Sequence, residues 1–342
     1  MKTNNERKER VRMALAHQNT DMTPYNIELT SGAMKNFTEK YGVTKADFFT
    51  FSGNHIEKIG YNRGTYIKAG YFKDDFGVVW KRSGGDDIGI VDHYLLQAPE
   101  LAGLTLPEAV PAEIKRQTES MLNNGNDSFK LAKIGMLLFE RAWSLRGMEN
   151  LLMDFFENEG FVEDLFSMIT DYNLAIINEA LKYPVDGFYF GDDYGQQNGL
   201  IMGRELWCKL IMPHLKRTFA PVKAKGLPVF LHSCGNISDI LEDLIDIGLD
   251  GYQTVQPEIY DLHLLKEQFG SALTFYGAVS TQQFLPFARP DAVQAKIAET
   301  IRILGKNGGY ICAPTHQVTD DVPPENIMAM ISSLRACKAI SI

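Results

Sequence analysis

The chain has 342 residues, of which 45% are hydrophobic and 23% are charged, and its formal net charge is −9. This composition is typical of a soluble globular protein, and the length fits one large α/β barrel. The acidic balance argues against nucleic-acid and anionic-membrane partners. The first ten residues are polar, without a signal-peptide pattern, and no apolar run approaches ~20 residues, so we expect a cytoplasmic protein with no membrane span.

From about residue 128, short apolar runs alternate with helical stretches. The predicted strands are 129–138, 187–190, 228–231, 250–255, 273–276 and 309–312. The predicted helices are 149–156, 162–181, 204–225, 237–247, 262–269, 291–304 and 325–339. An early run at 23–29 gives a seventh strand, and the ambiguous region 40–127 has room for an eighth. Strict alternation predicts a parallel sheet, and eight strands would close a single (β/α)8 TIM barrel over residues 1–342, with an N-terminal extension.

The stretch 72–96 has a different pattern. Residues 78–85 and 88–91 are two β-prone runs joined through glycines and resemble a β-hairpin, which we expect to be an insertion over the barrel mouth. No Gly-x-Gly-x-x-Gly run follows any predicted strand, which weakens a dinucleotide-binding hypothesis. Of the remaining cysteines, Cys208 and Cys337 are expected to be inert thiols. Isolated histidines, His55 among them, are expected at the surface or on helices.

The most informative motif is His232-Ser233-Cys234-Gly235-Asn236, which follows the strand 228–231. Alternate side chains of an extended segment point to the same side, so His232 and Cys234 are expected to face one way. A second cysteine, Cys312, ends another predicted strand. Two thiolates and one imidazole suit a tetrahedral zinc ion, and three protein ligands leave a fourth position for an exchangeable ligand. This pattern predicts a catalytic zinc site.

Other polar side chains also follow predicted strands, where a barrel concentrates its function. Helix capping would explain some of them, although it does not explain His232, Cys234 or Cys312, which are not usual capping residues. The polar residues at strand ends are Glu28, Glu140-Arg141, Asp192-Asp193, Gln256, Glu258 and His316. Glu140 and Arg141 are a candidate buried ion pair beneath the site.

At these residues the chain resembles the uroporphyrinogen decarboxylase superfamily and, within it, the corrinoid-linked methyltransferases. The resemblance covers roughly residues 130–340. It rests on the motifs at 191–197, 199–202, 232–236, 255–258, 275–277, 308–310 and 322–326. The decarboxylase itself fits poorly, because its arginine-rich substrate motif is replaced here by residues 23–31, which contain Glu28 and no arginine.

In the methyltransferase branch, the resemblance implies zinc bound by His232, Cys234 and Cys312. It also implies two possible activities. The favoured one moves a methyl group from a small O-methyl donor, such as an aryl methyl ether, to the cobalt(I) of a partner corrinoid protein. The other transfers methyl from a methylated corrinoid to a thiol of the coenzyme M type. The chain lacks an Asp-x-His-x-x-Gly corrinoid-binding run, so the corrinoid is expected on a separate protein.

Further residue roles remain open at the level of sequence. Glu258 is a candidate fourth zinc ligand or a carboxylate at a helix N-terminus. Asp192 and Asp193 are candidate substrate-orienting or proton-accepting groups, or turn residues. His316 is a candidate hydrogen-bond donor to the departing oxygen, or a plain loop histidine. The candidate substrate-binding residues are Glu28, Tyr194, Gln256 and Tyr276. The remaining alternatives are a decarboxylase-like lyase and a non-catalytic barrel that binds a corrinoid or tetrapyrrole as a carrier or scaffold.

Overall fold

The computed structural model describes residues 6–61, 63–82 and 89–336. Its α-helices are α1 (Glu6–Leu15), α2 (Ser31–Tyr41), α3 (Lys45–Ser52), α4 (Pro111–Leu122), α5 (Phe139–Arg146), α6 (Met148–Glu157), α7 (Glu159–Ala180), α8 (Arg204–Leu206), α9 (Met212–Ala224), α10 (Leu241–Asp246), α11 (Leu262–Phe269), α12 (Pro290–Leu304) and α13 (Pro324–Ala336). A π-helical turn, Trp207–Ile211, joins α8 to α9, and a 3₁₀ turn, Ser238–Ile240, precedes α10.

The strands are β1 (Ile56–Gly60), β2 (Gly64–Lys68), β3 (Tyr71–Asp74), β4 (Val79–Lys81), β5 (Ile90–His93), β6 (Phe129–Ile134), β7 (Gly187–Gly191), β8 (Gly195–Gln196), β9 (Gly199–Leu200), β10 (Val229–His232), β11 (Gly251–Thr254), β12 (Thr274–Val279) and β13 (Tyr310–Pro314). Seven of them form one sheet in the order β1-β6-β7-β10-β11-β12-β13. The predicted alternation of strands and helices after residue 128 is therefore confirmed. None of the helices in the described part of the chain is long and apolar enough to cross a membrane.

Residue contacts divide the chain into two compact units. The first contains the described residues up to Glu57, Gly125–Phe129 and the residues from Asp250 onward, and the second contains Lys58–Asn124 and Lys130–Leu249. The prediction of one domain over residues 1–342 stays a prediction.

In the second unit, β6, β7 and β10 pair in parallel. Leu231 of β10 and Ile134 of β6 both lie opposite Phe190 of β7. All five residues of β7 are buried. Burial on both faces is expected for a parallel sheet with helices on each side, and it accounts for the continuous apolar sequence of β7.

The second unit also contains an antiparallel sheet in the order β2-β3-β4-β5. The predicted hairpin corresponds to β4 and β5, which pair with Trp80 opposite Val91. The hairpin prediction was too small, because β2 and β3 extend it to four strands. Residues 83–88, which contain the predicted glycine turn, lie outside the described residues, as does Cys337. The position of this sheet over a barrel mouth stays a prediction.

In the first unit, β11, β12 and β13 pair in parallel. The predicted strand 23–29 is not a continuous strand there. It makes isolated parallel bridges from Tyr25 to Cys312 and from Leu29 to Val318, and its Tyr25 carbonyl accepts a hydrogen bond from the His55 N–H at 3.0 Å. Pro24 lacks an N–H group, which prevents a complete hydrogen-bond ladder at this position.

The predicted eight-stranded closed barrel is thus not confirmed. The structure shows an α/β fold with a sheet of seven strands, in which β1 is the strand that the region 40–127 was expected to hide. Segment 23–29, which was predicted as a strand, makes isolated bridges instead. Polar side chains cap the N-termini of α2 and α11: Thr30 accepts from the Ala33 N–H before α2, and Asp261 accepts from the His263 N–H before α11.

Candidate metal centre

His232 and Cys234 lie together at the carboxyl end of β10. His232 is the last residue of that strand, and its Nε2 atom is 3.4 Å from the Sγ atom of Cys234. The imidazole is 23% exposed and the cysteine is half-buried. The sequence prediction that these two side chains face one way is confirmed.

Asp193, which follows β7, contacts both members of the pair. Its Oδ1 atom accepts the Cys234 N–H at 2.8 Å and is 3.7 Å from Nε2 of His232. Burial, and then the negative charge of Asp193, raise the pKa of the Cys234 thiol. Without a cation, the thiolate is therefore disfavoured, whereas a bound metal ion would stabilise it. A thiol and an imidazole with a carboxylate behind them form a suitable donor set for zinc, with the outer carboxylate orienting the ligands.

Asp192 has a different position, completely buried at the N-terminus of α5. Its carboxylate accepts the backbone N–H groups of Leu138 at 3.1 Å, Phe139 at 2.8 Å and Glu140 at 2.8 Å. The Tyr194 hydroxyl also donates to it, at 2.8 Å. These contacts cap α5 and tie it to the loop after β7. All four of these hydrogen bonds to the Asp192 carboxylate come from the protein itself, so the carboxylate clamps α5 to the loop after β7. Its predicted role toward substrate stays a prediction.

The loops after β7 and β10 are fastened to each other by backbone contacts. The Gly195 N–H donates to the Cys234 carbonyl at 3.2 Å, and the Asn236 N–H donates to the Gln196 carbonyl at 2.8 Å. A Cβ atom on Gly195 would lie 2.6 Å from the Cys234 carbonyl oxygen, so only glycine allows this approach. Ser233, whose role the sequence did not predict, is buried and accepts the Tyr194 N–H at 3.0 Å.

Glu140 and Arg141, which follow each other in α5, have separate partners. The expected Glu140–Arg141 ion pair is not formed, because Arg141 pairs instead with Asp74 of β3 at 2.6 Å. Burial, together with the charges of Asp193 and Asp192, raises the pKa of Glu140. Glu140 in turn contributes to the raised pKa of the Cys234 thiol, so its charge is felt at the candidate metal centre.

Cys312 is fully buried in β13, in the first unit. It lies opposite Gly277 of β12, and its backbone bonds to Pro24 and Asn26 of the segment 23–29. Burial, and then the proximity of Cys312, raise the pKa of Tyr310, which begins the same strand.

The predicted substrate residues of the first unit also have defined surroundings. The Asn26 side chain donates to the Glu28 carboxylate at 2.9 Å. Gln256 is 9% exposed just past β11, and Tyr276 is buried within β12. Glu258 accepts a hydrogen bond from the Ser280 hydroxyl. The contacts of these residues with substrate stay a prediction.

The second unit supplies two candidate metal ligands, His232 and Cys234, whose Nε2 and Sγ atoms are the neighbouring donors described above. Cys312, Glu258 and His316 belong to the first unit, and their part in a metal site stays a prediction. His316 was predicted from the sequence as a catalytic residue, four positions after Cys312, and was not predicted as a ligand.

The sequence pattern of the family described as Uroporphyrinogen decarboxylase (URO-D) matches residues 139–337, which is more than half of the chain. The chain belongs to this family. It is also 23% identical over 171 residues to "Methylcobamide:CoM methyltransferase MtaA" of Methanosarcina barkeri, a match that covers 50% of this chain and 48% of that protein. The chain thus matches about half the length of this curated relative.

A solved structure described as a methyltransferase from Methanosarcina mazei has the same fold as this member of the uroporphyrinogen decarboxylase family. The TM-score is 0.73 at 18% identity, over 96% of this chain and 98% of that one. Together with the relative from Methanosarcina barkeri, these matches confirm the resemblance to the methyltransferase branch that the motifs predicted.

Proposed function

We propose that the chain is a zinc-dependent methyltransferase that transfers a methyl group from a small O-methyl donor to the cobalt(I) of a separate corrinoid protein. The observation that carries this proposal is the pairing of His232 and Cys234, with 3.4 Å between Nε2 and Sγ. An aryl methyl ether is the donor class that we favour. The family match and the methyltransferase relatives support a methyl-transfer reaction in general.

The proposed zinc ligands are His232, Cys234 and Cys312. His316 and Glu258 are proposed to face the exchangeable fourth position. The mixed donor set of thiolates and imidazole is typical of zinc. His316 is the competing candidate for third ligand, because an imidazole is also a usual zinc donor. Variants at Cys312 and His316 distinguish the two assignments.

Zinc, when bound, would act as a Lewis acid toward the oxygen of the methyl donor. During the transfer, the methyl–oxygen bond breaks and its electron pair leaves with the oxygen, which then takes a proton. The methyl group bonds to cobalt, whose formal oxidation state rises from +1 to +3.

The chain's own residues hold the reacting groups. Asp193 fixes the Cys234 backbone and faces His232, and Asp192 keeps α5 against the loop that carries Asp193. Such outer contacts orient metal ligands. His316, Tyr194, Gln256, Tyr276 and Glu28 are the residues proposed to contact the donor.

Transfer of methyl from a methylcorrinoid to a thiol is the second candidate function. One observation favours it: the curated relative is itself a methylcobamide:CoM methyltransferase. The same ligand set serves both reactions, which differ in direction and in the incoming small molecule.

The decarboxylase activity that gives the family its name is disfavoured by residues 23–31. This segment contains Glu28, whose carboxylate is held by Asn26, and no arginine. A negative charge here would repel the carboxylates of a tetrapyrrole substrate.

The test uses the full chain with free cob(I)alamin as a stand-in for the partner. One arm supplies a methoxybenzoate and monitors formation of methylcobalamin by its absorbance. The other supplies methylcobalamin and mercaptoethanesulfonate and monitors cobalt(I). We expect turnover in the first arm, lost in Cys234→Ser and kept in Cys208→Ser, whose thiol lies near Asp243. Turnover in the second arm alone would support the thiol reaction instead, and turnover in neither arm by a zinc-loaded protein would refute both.

A further inference from the structure

A cavity lies next to the start of β13, at the opposite end of that strand from His316. Its volume is about 180 Å³, enough for several water molecules or a small ligand. One side is formed by the chain after α1, and the other by the turn between α12 and β13. Its lining includes Gln18, Asn19, Thr23, Arg302, Lys306 and Gly309. We call it the β13 entry cavity.

The charged side chains that line this cavity are cationic. Arg302 and Lys306 contribute two positive charges, and the lining contains no carboxylate among the described residues. Glu299, one turn before Arg302, forms its ion pair with Lys296 at 2.9 Å. The chain as a whole has a formal net charge of −9, which disfavours binding of anions to its surface. The positive charge of this cavity makes it an exception.

A third cation lies behind the glycine turn of the cavity. Lys266 donates from Nζ to the Gly308 carbonyl at 2.7 Å, and a Cβ atom on Gly309 would be 3.4 Å from that Nζ. Burial lowers the pKa of Lys266 to about 8. An anion in the neighbouring cavity would offset the loss of hydration that this ammonium group undergoes.

The turn that lines the cavity has an unusual backbone conformation. Asn307, Gly308 and Gly309 have φ angles of 60°, 76° and 71°, three left-handed residues in succession. A Cβ atom on Gly308 would lie 2.6 Å from the His17 carbonyl carbon, so this turn requires glycine.

The C-termini of two helices work against an anion at this place. α1 ends at Leu15 and α12 ends at Leu304, and each helix end carries about half a negative charge. Two such ends sum to about one negative charge, which is less than the two positive charges of Arg302 and Lys306. One backbone carbonyl in the last turn of α12 also has a hydrogen-bond donor already, since the Ile301 carbonyl accepts from the Gly305 N–H at 2.8 Å.

We propose that the β13 entry cavity binds the phosphate group of a small molecule, with Arg302 and Lys306 as its cationic contacts. This site is distinct from the candidate metal centre and does not depend on the proposed methyl transfer. Binding there would stabilise the folded protein, because a ligand that binds only the native state raises its stability.

The experiment titrates the full chain with inorganic phosphate at constant ionic strength and follows the melting temperature and the heat of binding. Parallel titrations use glycerol phosphate, to separate a free phosphate from a phosphate ester, and acetate as a carboxylate. The test variant is Arg302→Gln/Lys306→Gln. The control is Lys216→Gln/Lys225→Gln, which removes the same charge from two exposed positions elsewhere. Circular dichroism verifies that each variant is folded.

We expect saturable binding of phosphate or of its ester, weakened at least tenfold in the test variant and unchanged in the control. Three results would overturn the proposal: no saturable binding of either phosphate by the wild-type protein, equal binding by the test variant, or binding of acetate as tightly as phosphate. If the wild-type protein binds neither phosphate, Arg302 and Lys306 serve only to neutralise the negative ends of the helices.

Discussion

Replacement of Asp192 by asparagine tests the clamp between α5 and the loop after β7. Its Oδ2 atom accepts from Leu138, Phe139 and Tyr194, and its Oδ1 atom accepts from Glu140. An asparagine oxygen can replace Oδ2 and keep the three contacts there. The amide nitrogen then replaces Oδ1 and points a donor at the Glu140 N–H, 2.8 Å away in the native protein.

One buried N–H group is therefore left without an acceptor, which costs about 1–3 kcal/mol. With a urea slope of about 3 kcal/mol/M, a loss of 2 kcal/mol lowers the midpoint by about 0.7 M. The assay is urea unfolding at pH 8 followed by circular dichroism. Asp164→Asn, at an exposed position in α7, is the control and is expected to change the midpoint by less than 0.2 M, or about 0.5 kcal/mol. An Asp192→Asn midpoint equal to that of the control would refute the clamp.

Three further predictions concern stability. Burial lowers the pKa of His55 to about 3, and the unfolded chain takes up this proton near pH 6.5. Between pH 7.5 and pH 5, the free energy of unfolding should therefore fall by about 2 kcal/mol more in the wild type than in His55→Gln, as measured by urea unfolding. Equal falls in the two proteins would contradict this prediction. Gly195→Ala should cost about 1–3 kcal/mol by the same assay, because its Cβ meets backbone atoms, whereas Gly160→Ala, which meets none, should not destabilise. Asp74→Asn breaks the buried pair with Arg141 and should lower the free energy of unfolding by about 3 kcal/mol. Asp171→Asn, in an exposed pair, should lower it by less than about 1 kcal/mol. Equal losses in the two variants would contradict the account of the Asp74–Arg141 pair.

The sequence predicted the part of the fold that depends on local pattern. Strands β7, β10 and β12 are continuous apolar runs, and continuous runs alternating with helices identify a parallel sheet without knowledge of its neighbours. Segment 23–29 has the same pattern, although in the structure it makes only bridges. The difference depends on Pro24 and on the pairing of residues far apart in sequence, such as Tyr25 with Cys312.

Side-chain environment was harder to predict than element type. His55 was expected at the surface or on a helix, yet it is 1% exposed and lies between α3 and β1, because the fold places it beside Tyr25. Arg141 was expected to pair with its neighbour Glu140, yet adjacent residues on a helix point in different directions, and Asp74 is the partner. In contrast, the His232–Cys234 pair could be predicted, since two residues separated by one in an extended segment face the same side.

The zinc content of the purified full-length chain tests the central claim most directly. Elemental analysis is applied to the wild type, Cys234→Ser, Cys312→Ser, His316→Gln and the control Cys208→Ser. We expect about one zinc ion per chain in the wild type and the control, a large loss in Cys234→Ser and Cys312→Ser, and retention in His316→Gln. Loss in His316→Gln with retention in Cys312→Ser would make His316 the third ligand. A folded wild type that takes up no zinc, or a Cys234→Ser variant that holds as much zinc as Cys208→Ser, would contradict the account.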